Sequence, residues 1–517
     1  MEPLDSYTED VIFTDAKLTE AYVTINYTRP RNGWSRNALR FCSDEAMENF
    51  NWNNCWTINT GGMTADQLGP LDIWADYYSY IKNCNIFFNN MSNVQQIPEP
   101  SRSILIGEAT FFRAYYYMEL VNNYGGVPLI TRLFELDDSE MMIRRDSYED
   151  CVKFIVDEFS KAAGLLPEKH TGENFGRVTK GAALAMKARM QLYAASPLWN
   201  TSQDKSKWQD VADTIEELLD LNLYQLDSDY KGIFLNPQSP EIIFQRLYNT
   251  EFGSYYDWYN SPNGWGGYSC TAVLQEMVDS YEMEDGTMPD ISTYDNAATN
   301  PWSQRDPRLY ASVVCDGQNF RGRETEFWVN SDGETGGLDS ELGRDAWNYS
   351  KTHYTIRKFM DESLVNSWSD KGSQPWIYCR LAEVYLNYAE ALFHLGDEKG
   401  ARQYLNCIRK RARGGKENIL PDITASGDEL LARIQHERKI ELAFEEHRFY
   451  DVRRWKIGEK TDTGKFHGIK IVRNPDGTKK YEFIEIQNRL FKPSNYLLPV
   501  PNYERRKNNL LEQNPGY

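Results

Sequence analysis

The stretch that most constrains this chain runs from Ile104 to Thr131, ILIGEATFFRAYYYMELVNNYGGVPLIT. Leu105, Ala109, Phe112, Tyr116 and Leu120 recur at steps of four, three, four and four, so they share one stripe of an α-helix and must face an apolar surface. Gly125 and Gly126 can take the positive φ that ends a helix, and Pro128 pushes Val127 to extended geometry, so the helix is predicted to stop at Tyr124. A helix packed this way needs neighbours of its own kind.

The chain supplies them. Val11 to Tyr27 carries a weak helical pattern, and Leu71 to Met91 places Trp74, Tyr77, Ile81, Cys84 and Phe88 on one face. Tyr148 to Leu166 turns Val152, Ile155, Phe159 and Ala162 inward before Pro167, and an Ala-rich helix over Val178 to Ala195 is followed by one over Lys207 to Leu221. The clearest pair lies between Trp376 and Ala412. Leu381, Tyr385, Tyr388, Leu392 and Leu395 form one stripe, Leu395-Gly396-Asp397 the turn, and Ala401, Leu405, Ile408 and Ala412 the other. Small residues Ala389 and Ala401 flanking Gly396 match the hairpin of a tetratricopeptide (TPR) repeat.

Pairing Val11–Tyr27 with Leu71–Met91, and counting the pairs that begin near Gly107, Val178 and Trp376, gives about four TPR-like hairpins. That predicts a mainly α superhelix, since roughly three such units bury a continuous core. Residues 1–226 are read as the N-terminal part with TPR-like hairpins. Residues 227–374, with short β-like runs at Glu241–Leu247 and Leu309–Cys315, are read as a large irregular insertion and the expected ligand lobe. Residues 375–517 hold the last hairpin, a helix entered through a Ser426/Glu429 capping box and running through HERKIELAFEEHRFYDVRRW, and an extended end from Tyr481 to Tyr517.

Other classes fall away. A net charge of -19 over 517 residues repels phosphate backbones, and the densest cationic run, Arg409, Lys410, Arg411 and Arg413, is short, so nucleic acid is not an expected partner. The eight cysteines form no C-x-x-C pair, position 440 is Ile where H-E-x-x-H needs His, and no P-loop, G-x-S-x-G or G-x-G-x-x-G occurs. Asp285-Gly286 and Asp316-Gly317 read as turns, not as a Ca²⁺ loop. No metal, cofactor or catalytic set is expected. No apolar stretch is long enough for a membrane-spanning helix, and Met1–Asp5 lacks the basic and apolar regions of a signal peptide, which by itself reads as cytosolic.

GEATFFRAYYY with YGGVPLIT, then GRVTKGAALAMKARMQLY, RDPRLYASV, YTIRKF, RLAEVYLNYAEALFHLGD with LNCIRKRA, ERKIELAFEEHRFYDVRRW, and LLPVPNYE with QNPGY resemble, in order and across nearly the whole chain, the segments of the SusD/RagB family. The resemblance implies a non-enzymatic lipoprotein on the outer face of the outer membrane, its leader and lipid-bearing Cys lying outside the sequence given. It also implies a SusC-like TonB-dependent transporter as partner and oligosaccharide or polysaccharide as cargo. Alternatives within the scaffold are peptide or another nutrient; outside it, a helical glycoside hydrolase or an intracellular TPR scaffold. The main departure is Glu446, where the family often shows Gly; read as a helix-interior position, Glu is the better helix former.

A sugar packs its C–H face on an aromatic ring while its hydroxyls need polar partners. Tyr255, Tyr256, Trp258, Trp265 and Tyr268, interleaved with Gly, Asn, Asp and Ser, suit such a platform, as do Trp52 and Trp56 among Asn51, Asn53 and Asn54, and Trp302, Trp328 and Trp347. The competing reading of each ring is cement for a lobe short of aliphatic core. Glu437, Glu441 and Glu445 share a helix face and could suggest the paired acids of a glycosidase. Arg438 and Arg448, three residues from Glu441 and Glu445, favour an ion-pair lattice instead, and Arg113 with Glu108, Arg453 and Arg454 are read the same way.

Overall fold

A computed structural model describes residues 9–34, 38–94, 96–134, 142–294, 300–364 and 368–517; the Met1–Asp5 stretch lies outside the described residues. The chain folds into two units, each assembled from separated segments. The first comprises Met1–Arg31, Thr64–Leu223 and Ser494–Tyr517; the second comprises Asn32–Met63 and Tyr224–Pro493.

The first unit is helical: α1 (Glu9–Thr14), α2 (Ala16–Thr24), α3 (Trp74–Asn89), α4 (Ser101–Tyr124), α5 (Tyr148–Leu165), α6 (Lys180–Ala195) and α7 (Lys205–Asp220). From α3 onward each helix packs along the next, and α2 and α6 also reach α4. The organising helix is therefore buried on nearly every side beyond Leu105, which is more than the single stripe its period predicts. A Cβ at Gly107 would stand 2.9 Å from Leu166 Cγ, so the glycine sets how closely α4 meets the end of α5. Gly125 ends α4 at φ +77°, as predicted. The last carbonyls of α4 are then taken by distant segments: Leu498 N–H donates to Asn123 O at 2.7 Å, and Arg145 and Asn514 donate to Tyr124 O at 2.6 and 2.9 Å. The predicted Arg113–Glu108 pairing is exchanged. Arg113 binds Glu158 on α5 at 2.6 Å, and Glu108 takes Arg177 at 2.6 Å and the Tyr27 hydroxyl at 2.7 Å.

The second unit contains α8 (Leu381–Leu395) and α9 (Glu398–Ala412), joined where predicted through Gly396 at φ +97° and Asp397, whose carboxylate accepts from Gly400 N–H at 2.9 Å. Ala389 and Ala401 are fully buried, and Leu386, Leu405 and Ile408 share a core with Leu430 and Ile434 of α10 (Gly427–Glu441). α11 (Arg448–Arg454) follows. Besides a short antiparallel pair, Asn319–Phe320 with Arg323–Glu324, the strands are β1 (Ala46–Glu48), β2 (Ile242–Arg246), β3 (Thr271–Val273), β4 (Val313–Val314), β5 (Val329–Asn330), β6 (Thr355–Ile356), β7 (Trp376–Arg380), β8 (Gly464–Arg473) and β9 (Lys479–Arg489). They form an antiparallel sheet ordered β1-β3-β6-β4, a β2-β7 pair, and a β8-β9 ribbon with β5 parallel to β8.

Several local readings change. Trp376 to Arg380 is strand, and the helix begins at Leu381. The Leu309–Cys315 run is helix Pro307–Ser312 before β4, because Asp306 caps it (Oδ1 to Arg308 N, 2.9 Å) and Pro307 opens it. Ser426 makes no side-chain cap; Glu398 accepts from Gly427 N–H instead, at 3.0 Å. The long helix after it breaks, with Phe444 at φ +63° and Glu446 at φ +69° between α10 and α11. Glu446 thus occupies a left-handed position rather than a helix interior, which explains the family's glycine there. The first quarter of the Tyr481–Tyr517 stretch, as far as Arg489, belongs to the β8-β9 ribbon.

Candidate functional site

The face of three carboxylates resolves into structure, not chemistry. Glu437, Glu441 and Glu445 are buried among Arg308, Arg380, Arg409, Arg411 and Lys358: Arg380 reaches Glu241, Glu441 and Glu445 at 2.7, 2.6 and 2.6 Å, and Arg308 reaches Asp306, Glu437 and Glu441 at 2.7, 2.6 and 3.0 Å. Burial alone would raise the Glu441 pKa, but Arg411, Arg380 and Arg308 outweigh it and hold the carboxyl well below its usual range. Burial pushes Lys358 down to about 8 against the pull of Glu445. The partners differ from those expected from spacing: Arg438 binds Asp451 at 2.8 Å, and Arg448 binds Asp44 at 2.7 Å. These acids face arginines rather than a cleft.

Three stretches of the second unit, remote in sequence, build an aromatic cluster at its surface. The first leaves β1 through Asn49, whose side chain donates to Tyr349 O at 2.9 Å and accepts from Lys351 N–H at 3.0 Å, so residues 49–56 are tied to residues 349–351. Trp56 Nε1 returns to Glu48 O at 2.7 Å, which folds that loop on itself. The second is the turn after helix Tyr256–Asn260, closed by Cys270 N–H to Tyr259 O at 2.8 Å and by Trp258 Nε1 to Gly266 O at 3.0 Å. The third is a short turn, Ala346–Asn348, entered through Asp345 at φ +46°.

Their rings meet. Phe50 and Trp52 stack with centroids 4.6 Å apart and planes 12° from parallel. Tyr268 stands edge-on to Trp52 at 5.9 Å and to Trp347 at 5.5 Å, and Trp347 is 6.0 Å from Phe50. Behind Tyr268 lies Trp258 at 5.1 Å, stacked on Tyr259 and 6.1 Å from Tyr255. Trp347 is 63% exposed and Trp52 45%, so two indoles of the cluster present themselves to solvent while the rings beneath fix them. Polar groups ring them: exposed Asn51, Arg344 and Asp345, and Lys351, whose ammonium sits 4.3 Å from the Trp56 ring centroid and 5.8 Å from that of Phe50. Burial lowers the Lys351 pKa. Flat apolar rings rimmed by hydrogen-bonding groups can hold a polyol through its C–H face and its hydroxyls together.

Of the rings singled out in the sequence, the structure brings Trp52, Tyr255, Trp258 and Tyr268 together, and Trp56 lies beside them across the Lys351 ammonium. Tyr256 and Trp302 do not: at 1% and 3% exposure they are core. Tyr256 packs on Trp34 and Phe359, and Trp302 lies between Tyr354 and Tyr481 with its Nε1 on the Tyr354 hydroxyl at 3.1 Å. Trp265 and Trp328 each carry a guanidinium on one face, Arg323 at 3.4 Å and Arg473 at 4.5 Å, and neither ring touches the cluster. Phe50 was missed; its only signal was the i, i+2 spacing to Trp52 in FNWNNCW. Among the described residues no cluster of His, Cys, Asp and Glu is arranged to hold a metal ion, and no helix is long and apolar enough to cross a membrane.

Comparison with known proteins gives a consistent picture. The model of the family described as "SusD family" matches residues 240–517, and the one described as "Starch-binding associating with outer membrane" matches residues 2–192. A solved SusD-like protein from Bacteroides fragilis is 31% identical, with a TM-score of 0.81 over the whole of both chains. A second solved protein of that species, described as a SusD-like carbohydrate binding protein, shares the fold with a TM-score of 0.82 at 24% identity over 97% of this chain and all of its own. SusD-like protein P25 of Formosa agariphila is 25% identical over 413 residues, 76% of this chain and 72% of the relative.

Proposed function

The chain belongs to the SusD family, and on that premise we propose that it binds oligosaccharide or polysaccharide at the cell surface and hands it to a SusC-like TonB-dependent transporter of the outer membrane. The observation that supports this reading is the pair of solvent-facing indoles, Trp52 and Trp347, held on a bed of Phe50, Tyr268 and Trp258. A sugar chain laid on them covers apolar ring area, and Asn51, Asp345 and Lys351 offer hydroxyl and carboxylate partners at the rim. Capture here needs no proton transfer or nucleophile. The description of the B. fragilis relative as carbohydrate binding, and of the matched N-terminal family as starch-binding and associated with the outer membrane, points the same way. Lipid anchoring to the outer face belongs to the same proposal.

Calorimetry against a panel of neutral and acidic glycans tests it. A binder should emerge from the panel and weaken when Trp52 or Trp347 becomes Ala. Binding that survives both changes refutes the site, and a panel without any binder refutes the ligand class.

A further inference from the structure

We infer that the glycan taken by this site is an acidic one, whose carboxylate or sulfate pairs with the Lys351 ammonium. The inference rests on the glycan-binding reading above and narrows it to a substrate class. Lys351 is held in place on both sides. Its N–H donates to Asn49 Oδ1 at 3.0 Å, and the O of the next residue, Thr352, accepts from Ile469 N–H of β8 at 3.1 Å. A Cβ at Gly468 would stand 2.5 Å from Thr352 Cα, so β8 closes directly on this backbone. The half-buried side chain brings its ammonium to 4.3 Å from the Trp56 ring centroid and 5.8 Å from that of Phe50. Phe50 in turn stacks on Trp52 at 4.6 Å, so one short glycan can meet an exposed indole and the charge together.

What this ammonium lacks is an anion, in a chain with 76 acidic side chains against 57 basic ones. Among the described residues no carboxylate lies within ion-pair distance of it and no oxygen accepts a hydrogen bond from it. Acids of the same stretches are engaged elsewhere: Glu48 accepts from Asn53 Nδ2 at 2.6 Å, and Glu341 is 3.0 Å from His353 Nε2. The other cations around the cluster have partners, Arg344 with Asp345 at 3.4 Å and Lys371 with Glu251 O at 2.9 Å. A ring face offsets only part of the hydration an ammonium loses, and burial lowers the Lys351 pKa with no carboxylate to raise it. A uronic acid or a sulfated sugar supplies the missing charge through a strong charge-assisted hydrogen bond while its C–H face covers Trp52 or Trp347. The net charge of -19 does not oppose this, because at physiological salt charges more than about 8 Å away are largely screened and the groups at the rim decide.

Calorimetric titration of the full chain with matched probes tests the inference. Oligogalacturonate is compared with its methyl ester, sulfated carrageenan oligosaccharide with its desulfated form, and both pairs with uncharged starch, laminarin and xylan oligosaccharides. The tightest binder should be a charged member, about tenfold or more tighter than its neutral counterpart, and the pair in which it occurs tells carboxylate from sulfate. That advantage should shrink as salt is raised, disappear in Lys351→Met and survive in Lys351→Arg. If the Met variant does not fold, the salt series on the parent chain decides: an advantage that salt leaves unchanged overturns the inference. Tightest binding by an uncharged glycan, an advantage that Lys351→Met retains, or one that Lys351→Arg also loses, overturns it and leaves the glycan reading standing. A panel with no binder overturns both.

Discussion

Replacing Glu446 by the glycine its family often shows there sets two effects against each other. The residue sits at φ +69°, which costs an L-amino acid about 1 to 2 kcal/mol that glycine does not pay. Its carboxylate also accepts from Leu39 N–H and pairs with Arg40 Nη1 at 3.0 Å, where Arg40 is all but enclosed. Removing one partner of a buried pair costs about 3 to 5 kcal/mol, because the other charge stays buried. Loss of the pair wins, and Glu446→Gly should destabilise the second unit by about 1 to 4 kcal/mol. At an unfolding entropy of about 2.1 cal/mol/K per residue, this lowers the unit's melting temperature by about 2 to 6 °C. Differential scanning calorimetry reads the change, and the double variant Arg40→Met, Glu446→Gly should recover part of it because no charge is left unpaired. A single variant that melts at or above the parent temperature would show that backbone strain, not the ion pair, governs this position.

Trp347→Ala should weaken glycan binding by about 1 to 2 kcal/mol, roughly 5- to 30-fold in Kd, whereas Trp302→Phe should lower stability and leave Kd alone; calorimetric titration separates the two. Burial pushes the Glu45 carboxyl up to about 8 although Phe444 N–H donates to it at 2.8 Å. The fold therefore holds a proton there that the unfolded chain releases near pH 4.5, and the stability linked to it is complete below that pH and lost as pH rises towards 8. Glu45→Gln, measured by melting at pH 5 and pH 8.5, should gain stability only at the higher pH; an equal gain at both contradicts this reading. A Cβ at Gly126 would lie 2.1 Å from Asp146 O, while one at Gly164 in α5 meets nothing within 4 Å. In urea titrations Gly126→Ala should destabilise the first unit, and Gly164→Ala should be neutral or stabilise it by about 0.5 to 1 kcal/mol.

Helices were legible wherever a period of 3.6 ended in a glycine or a cap, as at Gly125 and Gly396, because both signals are local. The β8-β9 ribbon was not, since a bulge between Phe466 and His467 interrupts the alternation that would have announced it. The shared face of Glu437, Glu441 and Glu445 was readable as a lattice, but their partners, Arg308 and Arg380, come from elsewhere in the chain and left no trace in the spacing. At the site, Tyr255 and Tyr256 are adjacent in sequence and opposite in fate. Only the packing of Tyr256 against Trp34, more than two hundred positions away, decides which ring is exposed. Trp52 and Trp258 could be picked as candidates; that they converge with Trp347 depends on Asn49 joining the strand end to Tyr349 and Lys351.

The bond from Asn514 to Tyr124 O spans 390 positions. A ribosome therefore delivers the organising helix long before the residues that cover its final carbonyls, so those carbonyls wait for Asn514 to be made before they are sealed. A stop codon placed shortly before Asn514 would uncover the end of a helix made 390 positions earlier rather than its nearest neighbours along the polypeptide.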